Sequence, residues 1–215
     1  MDLESLLNVT KIVTFLFSME PREHSPLPRT LAVVMGRREE SRLRAACRMA
    51  NGFPNMFDVS LNIDTLLIEG YGAEYGEDYS LALDDLCTRP YNLRHRDDLT
   101  VVIQGPTANC KTQSEWLAQE IAERAIGSLF LLAPPYHIAR AYLTLLASLI
   151  KKGLHTTVRV YPMTTDASPF KIIPADDQTP IDLFQGEVDR IIRYQETGDV
   201  ATWPEFQEYL RWFYS

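Results

Sequence analysis

Short apolar runs, each followed by an amphipathic stretch, recur along this chain, and that alternation constrains its fold more than any other feature. The runs are residues 30–35, 65–68, 99–103, 128–133 and 156–161. Each is rich in Val, Ile, Leu and Thr, mostly continuous instead of alternating with polar residues, as in strands buried on both faces. Helical patterns lie between them at 41–50, 79–88, 112–126 and 136–152. A β-α-β-α order of this kind makes a parallel sheet with helices on both sides, connected by right-handed crossovers. The expectation is a doubly wound, mostly parallel, Rossmann-like three-layer α/β domain over residues 30–165, with at least five strands.

Local signals mark the helix ends. Thr112 and Glu115 have capping-box spacing, and Trp116, Leu117, Ile121 and Ala125 then form an apolar stripe. Pro134 and Pro135 stand just before Tyr136, where a missing N–H costs nothing at a helix start. Lys151, Lys152 and Gly153 close that helix as cations and glycine do. Residues 1–29 read as a helix with the stripe Leu3, Leu6, Leu7, Ile12, Val13, Leu16, followed by a Pro-containing linker. Residues 166–215 read as a helical extension. One of its helices carries Ile181, Phe184, Val188, Ile191 and Ile192, the other Phe206, Tyr209, Leu210 and Phe213. Both are expected to be structural cover or a surface for a second copy, because they hold aromatics and no clustered titratable groups.

Lys plus Arg number 21 against 29 for Asp plus Glu, a net charge of −8. That balance repels phosphodiester backbones, so no nucleic-acid partner is expected. The apolar stretch 6–17 is interrupted by Asn8, Thr10, Lys11 and Thr14 and is shorter than the ~20 apolar residues a membrane helix needs. It also lacks a signal-peptide cleavage pattern, so no membrane partner is expected. Cys47, Cys87 and Cys110 are widely spaced and odd in number, which spells neither a disulfide framework nor a zinc site. A reducing cytoplasm and no metal are expected.

Ligands of open doubly wound sheets bind beyond the carboxyl ends of the strands. Five loops begin there, at Gly36-Arg37-Arg38, Glu69-Gly70-Tyr71-Gly72, Gln104-Gly105-Pro106-Thr107, Pro134-Pro135-Tyr136-His137 and Pro162-Met163-Thr164-Thr165. Small, polar and cationic residues gather in them, and a shared pocket is expected. His137 and Arg140 follow the Pro-Pro pair, where free N–H groups and the helix dipole attract anions, and their spacing puts them on one face. Imidazole and guanidinium would together clamp a phosphate or carboxylate, with His137 exchanging a proton near neutral pH. The competing reading has His137 cap the helix and Arg140 pair with a surface carboxylate.

Residues 105–112, Gly-Pro-Thr-Ala-Asn-Cys-Lys-Thr, nearly spell a phosphate-binding P-loop. Cys110 takes the place of its second glycine, where a Cβ is unwelcome, and no later apolar run ends in a magnesium-binding Asp. ATP hydrolysis is therefore not expected, although Thr107, Asn109 and Lys111 would still offer donors to an anion. The exit at Gly36 lacks G-x-G-x-x-G, which removes most support for nicotinamide or flavin chemistry. Arg37, Arg38 and Arg42 would add positive charge, and Glu69 stands where many nucleotide-binding α/β domains hold a ribose.

Leu131-Leu-Ala-Pro-Pro-Tyr-His137-Ile-Ala-Arg140-Ala141 resembles the signature of the YdcF/SanA/ElyC-like domain of unknown function, a strand followed by V-T-S-x-Y-H-M-x-R-A. Residues 31–36 with Arg42, Ala45 and Ala46 are similar to that family's opening strand, glycine and R-x-x-A helix. Leu67 to Gly70 resembles its S-G-G strand end, and Gln104 to Glu115 its E-x-x-S-x-N-T-x-E-N segment. This chain departs from the pattern at Gln104, Glu69 and Ala133-Pro134. The resemblance covers residues 30–163 and implies the soluble branch of the family, with site residues Gly36, Gly70, Thr107, Asn109, Tyr136, His137 and Arg140. It also implies S-adenosylmethionine or another nucleotide-like ligand.

The expectation that follows is a cytoplasmic protein binding a small anionic, phosphate- or nucleotide-bearing ligand. Gly36, Arg37, Glu69, Gly70, Gln104, Thr107, Asn109, Tyr136 and Arg140 would contact it, and His137 would serve as acid/base of a hydrolase or transferase. His137 and Arg140 would line a solvent-accessible pocket with the Gly36 and Gln104 loops. The alternative is a non-catalytic interaction or regulatory protein with a vestigial pocket, whose C-terminal helices hold a partner or a second copy of the chain.

Overall fold

Five strands form one sheet in the order β3-β2-β1-β4-β5, every neighbouring pair parallel. They are β1 (Thr30–Val33), β2 (Thr65–Ile68), β3 (Thr100–Ile103), β4 (Ser128–Ala133) and β5 (Arg159–Thr164). The computed structural model describes residues 3–19, 26–36, 40–53, 60–70, 81–165 and 178–215. Seven helices complete these residues: α1 (Leu3–Ser18), α2 (Glu40–Ala50), α3 (Leu83–Cys87), α4 (Cys110–Glu123), α5 (Ile138–Lys151), α6 (Pro180–Glu196) and α7 (Trp203–Phe213). This is the three-layer Rossmann-like α/β arrangement that the alternation predicts. β1 and most of β2 and β4 are buried on both faces, which is why their runs are continuously apolar.

The sheet grows from β1 toward β3 on one side and through β4 toward β5 on the other, so the switch point lies between β1 and β4. α4 carries the chain from β3 back across to β4 and packs side by side with α5. That adjacency follows when both crossovers are right-handed and return over the same face. Two helix N-termini therefore arrive together above the carboxyl edge.

Several expected boundaries shift. β5 lies at Arg159–Thr164 and not at 156–161, because Thr157 and Val158 instead donate to the Leu154 carbonyl in a turn. Pro162 to Thr164, read as loop, are strand residues paired with Leu131 to Ala133. A proline is tolerated there because β5 is an edge strand. The helix expected over 79–88 is the short α3, its first two expected residues lying outside the described ones. α4 begins at Cys110 and not at Thr112. Asn109 caps it by accepting from the Thr112 N–H at 3.1 Å, and an Asn cap satisfies one of the orphan donors of the first turn.

The extension is built into the domain. Tyr209 of α7 accepts from the Val160 N–H at 2.8 Å and donates to the Val158 carbonyl at 3.0 Å. Both are backbone groups of the β5 edge segment, which this hydroxyl satisfies in place of another strand. Tyr209 and Phe206 are fully buried against Tyr142 of α5. α1 packs on α5, α6 and α7. Among the described residues, no helix is long and apolar enough to cross a membrane.

Candidate active site

Cys110 is the first residue of α4, and His137 stands at the N-cap of α5. Since the two helices lie side by side, Cys110 Sγ and His137 Nε2 come within 3.7 Å across 27 residues of sequence. The other ring nitrogen, Nδ1, is 2.8 Å from Glu187 Oε2, a carboxylate supplied by the middle of α6. Arg140, one turn into α5, donates to the same carboxylate from Nε at 2.6 Å and from Nη2 at 3.2 Å. Arg190 donates to Glu187 Oε1 at 2.7 Å. Three cationic or proton-bearing groups thus surround one acid. Arg140 Nη2 also lies 3.2 Å from His137 Nδ1. Both atoms are donors gathered around Glu187, because an imidazole whose Nδ1 faces a carboxylate keeps its proton there.

The electrostatics follow from this packing. Burial works against the Cys110 thiolate, but the Arg140 and His137 cations outweigh it and bring the thiol from 9.0 down to about 6. A place in the first turn of a helix acts in the same direction. Burial also disfavours the His137 cation. The Glu187 carboxylate and the Cys110 thiolate together more than offset that, and the proton affinity of the ring rises above its ordinary 6.5. Glu187 is pulled far below the usual carboxylate range, its burial overcome by His137 and Arg140. The arrangement is a thiolate beside a proton-bearing imidazole, itself held by a buried acid, and this is the order of groups that activates a nucleophile.

Two readings of His137 and Arg140 change here. His137 is 4% exposed and makes no side-chain cap hydrogen bond, so it is neither a helix cap nor a solvent-facing clamp. Arg140 has a partner, but the carboxylate is buried, with a side chain 5% exposed. The expected solvent-accessible pair is therefore a buried network, because α6 lays an acid over it. The α6–α7 extension, expected to lack clustered titratable groups, supplies that acid. Glu187 had a signal in the sequence. It falls between Phe184, Val188 and Ile191 on the stripe that buries Val188 and Ile191, and a carboxylate at a core-facing position has to be paired. Cys110 had one too, as a cysteine directly after an Asn cap, although within the P-loop pattern it reads only as a missing glycine.

The other predicted residues build the floor of the site. Gly70 donates its N–H to Gln104 Oε1 at 3.0 Å, and its carbonyl accepts from Thr107 Oγ1 at 3.2 Å and Gln113 Nε2 at 2.6 Å. Gln113 also donates to the Met35 carbonyl at 3.1 Å, tying the β1 and β2 exits to the first turn of α4. Gln104, Thr107 and Asn109 thus spend hydrogen bonds on holding the loop that presents Cys110. Lys111 points elsewhere and pairs with Asp199 at 2.8 Å. At the β1 exit Arg42 is buried, donating to the Val34 carbonyl at 2.6 Å and to the Tyr136 hydroxyl at 3.3 Å. A Cβ on Gly36 would stand 2.6 Å from that guanidinium. Glu69 is 1% exposed, and its Oε2 has no hydrogen-bond partner among the described residues. Arg37, Arg38, Tyr71 and Gly72 lie outside the described residues. Among the described residues no group of three His, Cys, Asp or Glu side chains is arranged to hold a metal ion.

Gly70 gives a direct test of this floor. An added Cβ would lie 1.8 Å from the Gly105 carbonyl oxygen and 3.0 Å from that of Gln104, both backbone atoms. Gly70→Ala must therefore separate the β2 and β3 exits and is expected to cost ~1–3 kcal/mol, the usual range for overpacking. An unchanged urea midpoint for Gly70→Ala would contradict the close approach.

No family model, curated protein or solved structure matches this chain.

Proposed function

We propose that this protein is a thiol-dependent hydrolase or transferase acting on a small anionic substrate at the carboxyl edge of a YdcF-like sheet. Cys110 is the nucleophile, His137 the acid/base and Glu187 the group that holds the ring. The observation that carries this reading is the chain of contacts from Cys110 Sγ through His137 to Glu187. Arg140 stabilises the thiolate, and the first-turn N–H groups of α4 favour an anionic substrate. The resemblance to YdcF-like domains supports His137 and Arg140 as site residues. The cysteine is this chain's own, standing where that family's segment has threonine.

Selective labelling tests the reading. With chloroacetamide at pH 6.5 the first adduct is expected on Cys110, ahead of the exposed Cys87 and the buried Cys47. Burial pushes the Cys47 thiol up to about 12, so it should react last. Peptide mapping that places the first adduct on Cys87 would overturn the assignment. The second reading, a non-catalytic protein in which Glu187 merely pegs α6 onto α5, draws on the saturation of both His137 and Arg140 by that carboxylate. It predicts an unreactive Cys110.

A further inference from the structure

The group that the proposed mechanism leaves unused is Glu69. It lies one residue past β2, its N–H bonded to the Val33 carbonyl at 3.1 Å. The next residue, Gly70, is bonded to Gln113, three positions beyond Cys110 on the same helix. The backbone that carries Glu69 is therefore tied to the first turn of α4, and its carboxyl lies close enough to Cys110 and Arg42 to feel their charges. It is 1% exposed, and Oε2 has no hydrogen-bond partner among the described residues. A buried polar atom without a partner is costly, and one that a protein keeps calls for a reason such as a catalytic role. Among the described residues, the charged groups acting on Glu69 are Cys110 from α4 and Arg42 from α2. Burial and the Cys110 thiolate together outweigh Arg42 and hold the carboxyl in its neutral form well above 4.5. A neutral carboxyl has an O–H to donate.

We infer that the site takes an acyl substrate, an ester or thioester, and that Glu69 donates a hydrogen bond from its protonated carboxyl to the substrate's carbonyl oxygen as Cys110 attacks. The inference rests on the nucleophile reading above. The Cys110 sulfur lone pair forms a bond to the carbonyl carbon, and the C=O π pair moves onto the oxygen, whose new charge meets the Glu69 O–H and the first-turn N–H groups of α4. Collapse expels the alcohol or thiol, which takes the Nε2 proton of His137 and leaves an acyl-thioester on Cys110. Water then attacks that thioester, neutral His137 takes one of its protons, and the acid departs as the thiolate and the imidazolium are restored. Glu69 keeps its proton throughout. A neutral acid is the right group for this place, because a carboxylate would repel both the thiolate and the developing oxyanion.

The test compares two reactions at the same sulfur. Acetylation by p-nitrophenyl acetate passes through an oxyanion, while alkylation by iodoacetamide is a direct displacement without one. Glu69→Leu is expected to slow acetylation of Cys110, read by mass spectrometry, by about 100- to 1,000-fold, the usual effect of removing one oxyanion donor. Alkylation should stay within about threefold. Glu69→Gln keeps an N–H donor, so its acetylation should stay within about tenfold of the wild type. Melting of both variants is followed beside the two rates, and unchanged alkylation shows that the fold around Cys110 is kept. Equal effects on both reactions, or none on either, would overturn the role of Glu69 while leaving Cys110 as nucleophile. A wild type in which Cys110 takes neither label would instead sink the nucleophile reading.

Discussion

Glu187→Ala is expected to lose ~3–5 kcal/mol of stability, the usual cost of removing one partner from a buried ion network. The loss comes from what stays behind, since Arg140 and His137 have side chains only 12% and 5% exposed and, among the described residues, would have no other carboxylate to face. The intact network need not stabilise the fold by that amount, because desolvating three groups offsets much of their attraction. In a chain of 215 residues the melting temperature should fall by roughly 10 °C, at about 2–4 °C per kcal/mol. The pH dependence has a definite sign. Glu187 is depressed below 4.5, so its contribution is present above that pH and disappears as pH falls through the folded value. His137 is raised above 6.5, so its contribution is complete below 6.5 and disappears as pH rises through the folded value. The difference between wild type and Glu187→Ala should therefore peak between about pH 4.5 and 6.5. A flat difference across pH 4–9, measured by urea unfolding, would show that Glu187 is not bonded to a titrating histidine.

Alkylation of Cys110 should rise with pH to a plateau and show its midpoint near pH 6, far below the 9.0 of an unperturbed thiol. At pH 7 about nine-tenths of such a thiol is thiolate, against a few per cent for an ordinary cysteine. Its rate advantage is smaller than that ratio, because nucleophilicity falls as the pKa falls, with a Brønsted slope of about 0.4–0.5. The shape of the profile is therefore more telling than its height. His137→Ala removes one of the two cations that lower the thiol and should move the midpoint upward, whereas Lys111→Ala should leave it in place because Lys111 is paired with Asp199. A wild-type midpoint near 8.5 would mean that the Arg140 and His137 charges do not reach the sulfur.

What the sequence determined by itself is local. Continuous Val, Ile and Leu runs read as doubly buried strands and amphipathic stripes as helices because both periodicities live within a few residues. Short parallel strands joined by helices admit one layer arrangement, and the observed sheet has it. The segment Tyr136-His137-x-x-Arg140 was legible as a pair on one helical face for the same reason. What that face meets was not. Cys110 and Glu187 lie 27 and 50 residues from His137, and their meeting depends on three decisions made only in tertiary structure. The strands order themselves 3-2-1-4-5, α4 therefore returns beside α5, and α6 then folds its apolar stripe, with Glu187 upon it, onto α5. Helical period says which side chains share a face, but which face packs against which is set by how the whole set of apolar surfaces can be buried at once. For that reason the sequence could mark a carboxylate on the buried stripe of α6 and a cysteine at the start of α4, while only the packing of α4, α5 and α6 made them neighbours of one histidine.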